Sequence, residues 1–241
     1  MTINPASPFP NGVIATTVIV TNVNRNGIVV PNGTIIGITA KPAFTASAGG
    51  TISGPSTGTS PDSRFLLFST VGGGITVSYT PPDLTSLGPG TGVNGVVQVA
   101  SVDLDGRPEL LIAQGAATLF GIQSVTLTAS ATTLPADGTS TAAVSATFRD
   151  HNGNLVPDGT RVGLTAAPIF TASAGGTIEG GTTSAGDARV RIFTTTGGQI
   201  SATYRAPTNR GSGQAVIQAV TVDAAGNPTA LISPVRTITL Q

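Results

Sequence analysis

The chain has 241 residues with eleven basic and eleven acidic side chains, so it is 9% charged at zero net charge, against about 25% charged in an ordinary globular chain. It has no cysteine and one lysine, which excludes disulfides, thiolate metal sites and cysteine nucleophiles, and leaves no basic footprint for nucleic acid. No apolar run approaches the ~20 residues of a membrane span, while 39% hydrophobic residues and a mean hydropathy of +0.27 separate it from disordered chains.

In chain order, the first element to recur is the phrase Phe44–Ile52, which returns unchanged as Phe170–Ile178. The same offset carries Asn11-Gly12 onto Asp137-Gly138, Asn26-Gly27 onto Asn152-Gly153, and Val30-Pro31-Asn32-Gly33-Thr34 onto Val156-Pro157-Asp158-Gly159-Thr160. Further on, the Tyr79 phrase meets the Tyr204 phrase, and Val102-Asp103-Leu104-Asp105-Gly106 meets Val222-Asp223-Ala224-Ala225-Gly226. Self-similarity over a whole unit means two copies of one domain. They are placed at residues 1–122 and 123–241. The first copy is longer only in the Gly/Pro-rich stretch after Tyr79 and just before it, where surface loops tolerate insertions.

Within each copy the period is two. Ala142, Val144, Ala146 and Phe148 alternate with small or polar residues, as do Val162 and Leu164, and Ile200, Ala202 and Tyr204. This is the pattern of half-buried strands, and the wealth of Thr and Val suits a pleated surface. Val216, Gln218, Val220 and Val222 share one face, which is therefore not wholly apolar. Asn-Gly, Asp-Gly and Gly-Gly pairs between strands supply the positive φ of tight turns. No window has a helical period. Seven to nine short strands in each copy of roughly 115 residues predict an all-β chain, and that size favours two tandem antiparallel sandwiches over closed barrels, which share the strand pattern.

The phrase Ala146–Thr160, with its strand ending in Asp150, its Asn152-Gly153-Asn154 turn and its Val156-Pro157-Asp158-Gly159-Thr160 segment, resembles the bacterial immunoglobulin-like group 1 domains, the repeats of invasin and intimin adhesins. Leu134–Ser140 is similar to that family's first crossover and Ser124–Ser130 to its opening strand. The first copy diverges at Asn24-Arg25-Asn26-Gly27-Ile28, which lacks the Asp. The resemblance implies immunoglobulin-like sandwiches in an extracellular stalk or adhesive array, and no catalytic residues.

Candidate chemistry is sparse. Asp150, Asn152 and Asn154 place oxygen ligands at alternate positions, and Asp103 and Asp105 form a second such pair. Both are weak calcium candidates, because the Gly and Glu positions of a calcium loop are not met. Hairpin turns explain them better, so the expectation is no cofactor, with calcium as the alternative. His151, the only histidine, reads as a solvated turn residue. Arg189 and Arg191 read as the outer face of one strand, with a sugar acid or phosphate as the competing ligand. Tyr79 and Tyr204 read as structural tyrosines with backbone-bonded hydroxyls. Lys41 faces Ala167 in the other copy, which excludes a shared lysine cross-link. Two Glu, nine Asp and one His scattered over the chain do not form an acid–base cluster, so the chain reads as non-enzymatic.

The opening strand of the second copy, Ser124–Ser130, would fall at −2 to 4 in the first, which leaves Met1, Thr2, Ile3 and Asn4 as a short strand beside a partly unpaired sheet edge. That edge predicts contact with a protein, either a neighbouring repeat or another subunit of the same chain; a host or surface ligand is a separate expected partner. No secretory leader is visible at Met1–Pro5. The leading expectation is a structural or adhesive module at the bacterial surface or outside the cell. A virion immunoglobulin-like protein and a carbohydrate-binding accessory module are the alternatives.

Overall fold

A computed structural model describes residues 1–4, 8–12, 15–22, 26–42, 45–167, 172–208 and 213–241. Phe44, Phe170 and Thr171 of the repeated phrase, and Asn24-Arg25 of the divergent turn, lie outside these residues. Among the described residues every regular element is a strand.

The chain divides into two compact units, one formed by Met1–Asp83 with Gly92–Leu119 and the other by Leu84–Thr91 with Phe120–Gln241. In the first unit the strands are β1 (Thr2–Asn4), β2 (Thr16–Thr21), β3 (Ile35–Thr39), β4 (Thr51–Ser53), β5 (Gly58–Thr59), β6 (Leu66–Ser69), β7 (Gly74–Thr80), β8 (Gly92–Val102) and β9 (Pro108–Phe120). They form one sheet in the order β1-β2-β7-β4 and another in the order β5-β6-β3-β8-β9. Alternation builds the core between them. On β2, Val18 and Val20 are buried while Thr17, Ile19 and Thr21 are exposed. The buried set packs with Ile36, Ile38, Phe68, Val77, Tyr79, Val97 and Val99.

The second unit contains β10 (Ser124–Ala129), β11 (Thr133–Leu134), β12 (Thr141–Arg149), β13 (Arg161–Thr165), β14 (Thr177–Glu179), β15 (Thr182–Thr183), β16 (Arg191–Thr194), β17 (Gln199–Arg205), β18 (Gly213–Val222) and β19 (Pro228–Leu240). Its sheets run β10-β12-β17-β14 and β11-β19-β18-β13-β16-β15. The first order places β14 where the outermost strand of the immunoglobulin ABED sheet stands, and β19-β18-β13 repeats the GFC order. Both units are immunoglobulin-like β-sandwiches. One pairing departs from the antiparallel expectation: β11 runs parallel to β19, with Thr133 opposite Thr239 and Leu134 opposite Leu240. The opening segment pairs with β12 through β10 and then with the other sheet through β11. Pro234, which has no N–H to donate, sits where the β18–β19 register shifts between Ile217/Arg236 and Ala219/Ile232, the bulge position that tolerates proline in a strand.

The β18 face expected to be not wholly apolar is buried, and so is its other face: every residue from Ala215 to Val222 is buried. Val190, Ile192, Val220 and Val222 form a second small cluster, placed on the outside of the six-stranded sheet by alternation with Ile217 and Ala219. Gly163 makes room for it, since a Cβ there would lie 2.5 Å from Val220 Cγ2 and 2.7 Å from Val190 Cγ1. Unit 1 repeats the device with Gly37 beneath Phe65 and Val102.

Candidate interaction surface

Most charged or polar residues singled out in the sequence serve the turns. The Asp150 carboxylate accepts the backbone N–H groups of Asn152 and Asn154, each at 2.9 Å, and thereby closes its own turn. Asp103 Oδ1 accepts Arg107 N at 2.8 Å, and Asp223 Oδ1 accepts Asn227 N at 2.8 Å. Asp105 is exposed on the same β8–β9 turn. Among the described residues no three His, Cys, Asp or Glu side chains gather in a metal-holding group. His151 is exposed in its turn and stacks on the Phe120 ring with centroids 3.9 Å apart.

Arg189 and Arg191 do not share a strand face, contrary to the sequence reading. The strand starts at Arg191, because Asp187 caps the preceding turn. Its carboxylate accepts Arg189 N at 3.0 Å and the Arg189 guanidinium at 2.8 and 2.6 Å. Those side-chain bonds hold the Asp187 carboxyl below its usual range. Arg191 donates instead to the carbonyls of Gly180 and Gly181 and to Thr183 Oγ1. Asp62 and Arg64 form the same clasp in unit 1, at 3.0 Å. Lys41 is exposed just beyond β3, its backbone N–H bonded to Thr39 Oγ1 at 2.9 Å.

The two tyrosines are fully buried. Tyr79 donates to Gly49 O at 2.7 Å and Tyr204 to Gly175 O at 2.9 Å. Burial pushes both phenols up to about 12, because the charged form loses its water. The neighbouring glycines make this possible. Gly50 and Gly176 have φ of +125° and +111°, and a Cβ at either would strike the ring and a strand carbonyl.

Met1–Asn4 contribute β1, an edge strand pairing Thr2, Ile3 and Asn4 with Ile19, Val18 and Thr17. The register equals that of β10, where Ala129 faces Val144, but β10 pairs six residues and β1 three.

One feature of unit 1 was invisible in the sequence. A hollow of about 900 Å³ lies between β3, β6 and the β8–β9 hairpin, with Ile35, Leu67, Val102 and Leu104 as apolar walls and Asp105 and Glu109 among its lining. Leu104 at the hairpin tip is fully exposed, at 108%. Leaving the hairpin, β9 continues with Leu110, Leu111 and Ile112, all exposed. At the corresponding places unit 2 has Arg161 for Ile35, Ile192 for Leu67, Val222 for Val102 and Ala224 for Leu104. There the Arg161 guanidinium donates to Ala224 O at 2.8 Å and closes over Gly226, where a Cβ would lie 3.0 Å from it. Comparing the two copies position by position is the signal that exposes this difference.

No family model matches the chain, and no curated protein matches it in sequence. Several solved structures do. Invasin, a bacterial integrin-binding protein, aligns over 99% of this chain and 38% of its own at 16% identity, with a TM-score of 0.41. The Yersinia pseudotuberculosis adhesin InvE aligns over 100% of this chain and 58% of its own at 15% identity, with a TM-score of 0.40. A glycosyl hydrolase family 2 member from Bacteroides cellulosilyticus aligns over 94% of this chain and 23% of its own at 15% identity, with a TM-score of 0.29. The chain therefore spans less than two thirds of each. The sandwich assignment rests on strand order, not on these overlaps. No helix among the described residues is long and apolar enough to cross a membrane.

Proposed function

We propose that this chain is a non-enzymatic structural or adhesive module of a bacterial surface or extracellular protein, acting as a stalk, adhesin segment or filament subunit. One observation carries the reading: the same sandwich occurs twice, and the carboxylates of Asp150, Asp187 and Asp223 are bonded into its turns. What repeats is a mechanical unit with a rigid core and polar, nearly uncharged strands. Its partners are proteins, either neighbouring repeats or further subunits, together with a host or surface ligand. The edge strand β1 offers main-chain groups for strand addition by such a neighbour.

Labelling with antibodies against this chain tests the reading on intact cells of the native producer, with protease shaving as the second arm. Labelling of unbroken cells, or of material shed from them, together with loss of the signal on shaving, is the expected result. Signal that appears only after lysis overturns it, and signal confined to purified virions transfers the chain to a capsid or tail.

A further inference from the structure

We propose that the β8–β9 hairpin of unit 1 and the hollow beside it form a two-fold contact with the same region of a second copy of this chain. The hollow is a place that the fold fills when it can. In unit 2 the equivalent space is closed from within, by Arg161 reaching Ala224 O across the outer apolar cluster. In unit 1 Ile35 stands in that position, carries no donor and is too short to reach the hairpin, so the apolar walls Leu67 and Val102 stay open to the hollow.

The same few residues supply both halves of a contact. Leu104 projects fully exposed from the tip at the rim of an open hollow, whose apolar side chains Ile35, Leu67 and Val102 stand among Thr34, Thr57 and the carboxylates and whose volume exceeds that of a leucine side chain. Arg107 is exposed on the same turn, and the hollow carries the carboxylates of Asp105 and Glu109. A two-fold axis beside the hairpin sets Leu104 of each copy into the other's hollow. It also sets Arg107 of each copy against the other's Asp105 and Glu109, which is the self-complementarity a two-fold interface requires. Of the exposed residues that follow on β9, Leu111 shares a strand face with Glu109 of the hollow, while Leu110 and Ile112 face the other way. At zero net charge there is no long-range repulsion for this contact to overcome. No other class of partner is matched by both the projecting leucine and the paired charges, so a second copy is the occupant. The contact is one form of the subunit packing included in the proposed function. A monomeric chain would remove the contact and leave the surface-module reading standing.

Sedimentation equilibrium of the full chain, from about 10 μM to about 1 mM to cover a weak interface, tests it. Wild type is expected to show a concentration-dependent dimer. Leu104→Ser leaves the core untouched and removes a buried leucine from each side, so dimerisation should weaken at least about 100-fold with the melting temperature unchanged. Ile35→Arg should close the hollow as Arg161 does in unit 2 and give a monomer with the wild-type circular dichroism spectrum. Arg107→Glu and Glu109→Arg should each be monomeric alone, and a mixture of the two should recover a heterodimer. A wild type that stays monomeric throughout, or one that associates no better than Leu104→Ser, overturns the proposal.

Discussion

The tyrosine–glycine lock at the end of β17 makes a sharp prediction, because three substitutions separate its physical parts. Gly153 has φ +79° with nothing within 4 Å of a built Cβ, so Gly153→Ala measures the left-handed backbone cost alone, about 1 kcal/mol. Tyr204→Phe removes the bond to Gly175 O and leaves a carbonyl short of a partner, costing about 1–2 kcal/mol. Gly176→Ala combines positive φ with a Cβ 2.6 Å from the Tyr204 hydroxyl and 2.7 Å from Arg205 O. Neither neighbour can yield cheaply, since Tyr204 is fully buried and Arg205 is held in register with Thr177. Backbone strain, the lost hydroxyl bond and the displaced ring together come to about 3–5 kcal/mol. For a sandwich with an ordinary stability of about 5–15 kcal/mol that is a large fraction. At about 1–3 kcal/mol per molar urea it moves the midpoint down by roughly 2 M. Urea unfolding of the full chain, followed by far-ultraviolet circular dichroism and tyrosine emission, reads all three variants. Gly50→Ala should repeat the effect through Tyr79. If Gly176→Ala falls within about 0.5 kcal/mol of Gly153→Ala, near the measurement error for such differences, the close approach is not what holds this glycine in place and the reasoning fails.

The two buried phenols titrate with a stated sign. Their folded values near 12 lie above the ordinary value of about 10, so the stability they confer is complete below pH 10 and is lost as pH rises toward 12. With two tyrosines and no tryptophan, phenolate absorbance should show no ionisation near pH 10 while the fold persists, and a midpoint near 10 would refute the burial argument. Asp137 accepts Ser140 N, Thr139 N and Ser140 Oγ, and these bonds, led by Ser140 N, hold its carboxyl well below the carboxylate range. Its contribution is present above about pH 4 and lost as the solution is acidified below that. A carboxyl carbon titration by NMR should show the depressed midpoint, and an ordinary one would remove the cap. Gly163→Ala should cost about 1–3 kcal/mol through overpacking against Val190 and Val220, visible as a lower melting temperature, and a neutral result would mean the outer cluster is loosely packed. Adding calcium or a chelator should leave the melting temperature where it was, because the Asp150 carboxylate already accepts the N–H groups of its own turn, and a calcium-dependent rise would reopen that site.

Local patterns carried most of the fold. The alternation of Ala142 through Phe148 marked β12 because one face of that strand is buried and the other exposed, and the recurring Asp-x-x-Gly turn marked both long hairpins because its geometry is contained in five residues. The same logic failed where burial depends on distant chain. Val216, Gln218, Val220 and Val222 read as one face that is not wholly apolar, and nothing near them in sequence reveals that Val190 and Ile192 will pack on Val220 and Val222. Arg189 looked like a strand residue because alternation is blind to a carboxylate two positions earlier that ends the turn. The β11–β19 pair joins residues about a hundred positions apart through two bonded positions on each strand, too short a run to leave a pattern. The hollow was illegible for the same reason, since Ile35, Leu67 and Leu104 meet only after β3, β6 and the hairpin are in place.

The two copies turn that illegibility into information. Positions that serve the core or the turns are kept between them: Val18 and Val144, Phe68 and Phe193, Tyr79 and Tyr204, and the Asp–Arg clasps. At several outward positions unit 1 carries the more apolar residue, although Val235 of unit 2 is exposed where unit 1 has Gly115. Ile19 answers to Ser145, Ile28 to Asn154, Ile35 to Arg161 and Leu104 to Ala224, and each of the four unit 1 residues is exposed. Of these, Ile35 and Leu104 meet at the hollow, whereas Ile19 lies on β2 of the other sheet, so only the first two mark a shared apolar surface. With Thr, Ser and Gly facing water and zero net charge, there is little repulsion for association to overcome, so in the proposed contact Ile35, Leu104 and the hollow set the place, while in unit 2 Arg161 is bonded to Ala224 O across the equivalent space.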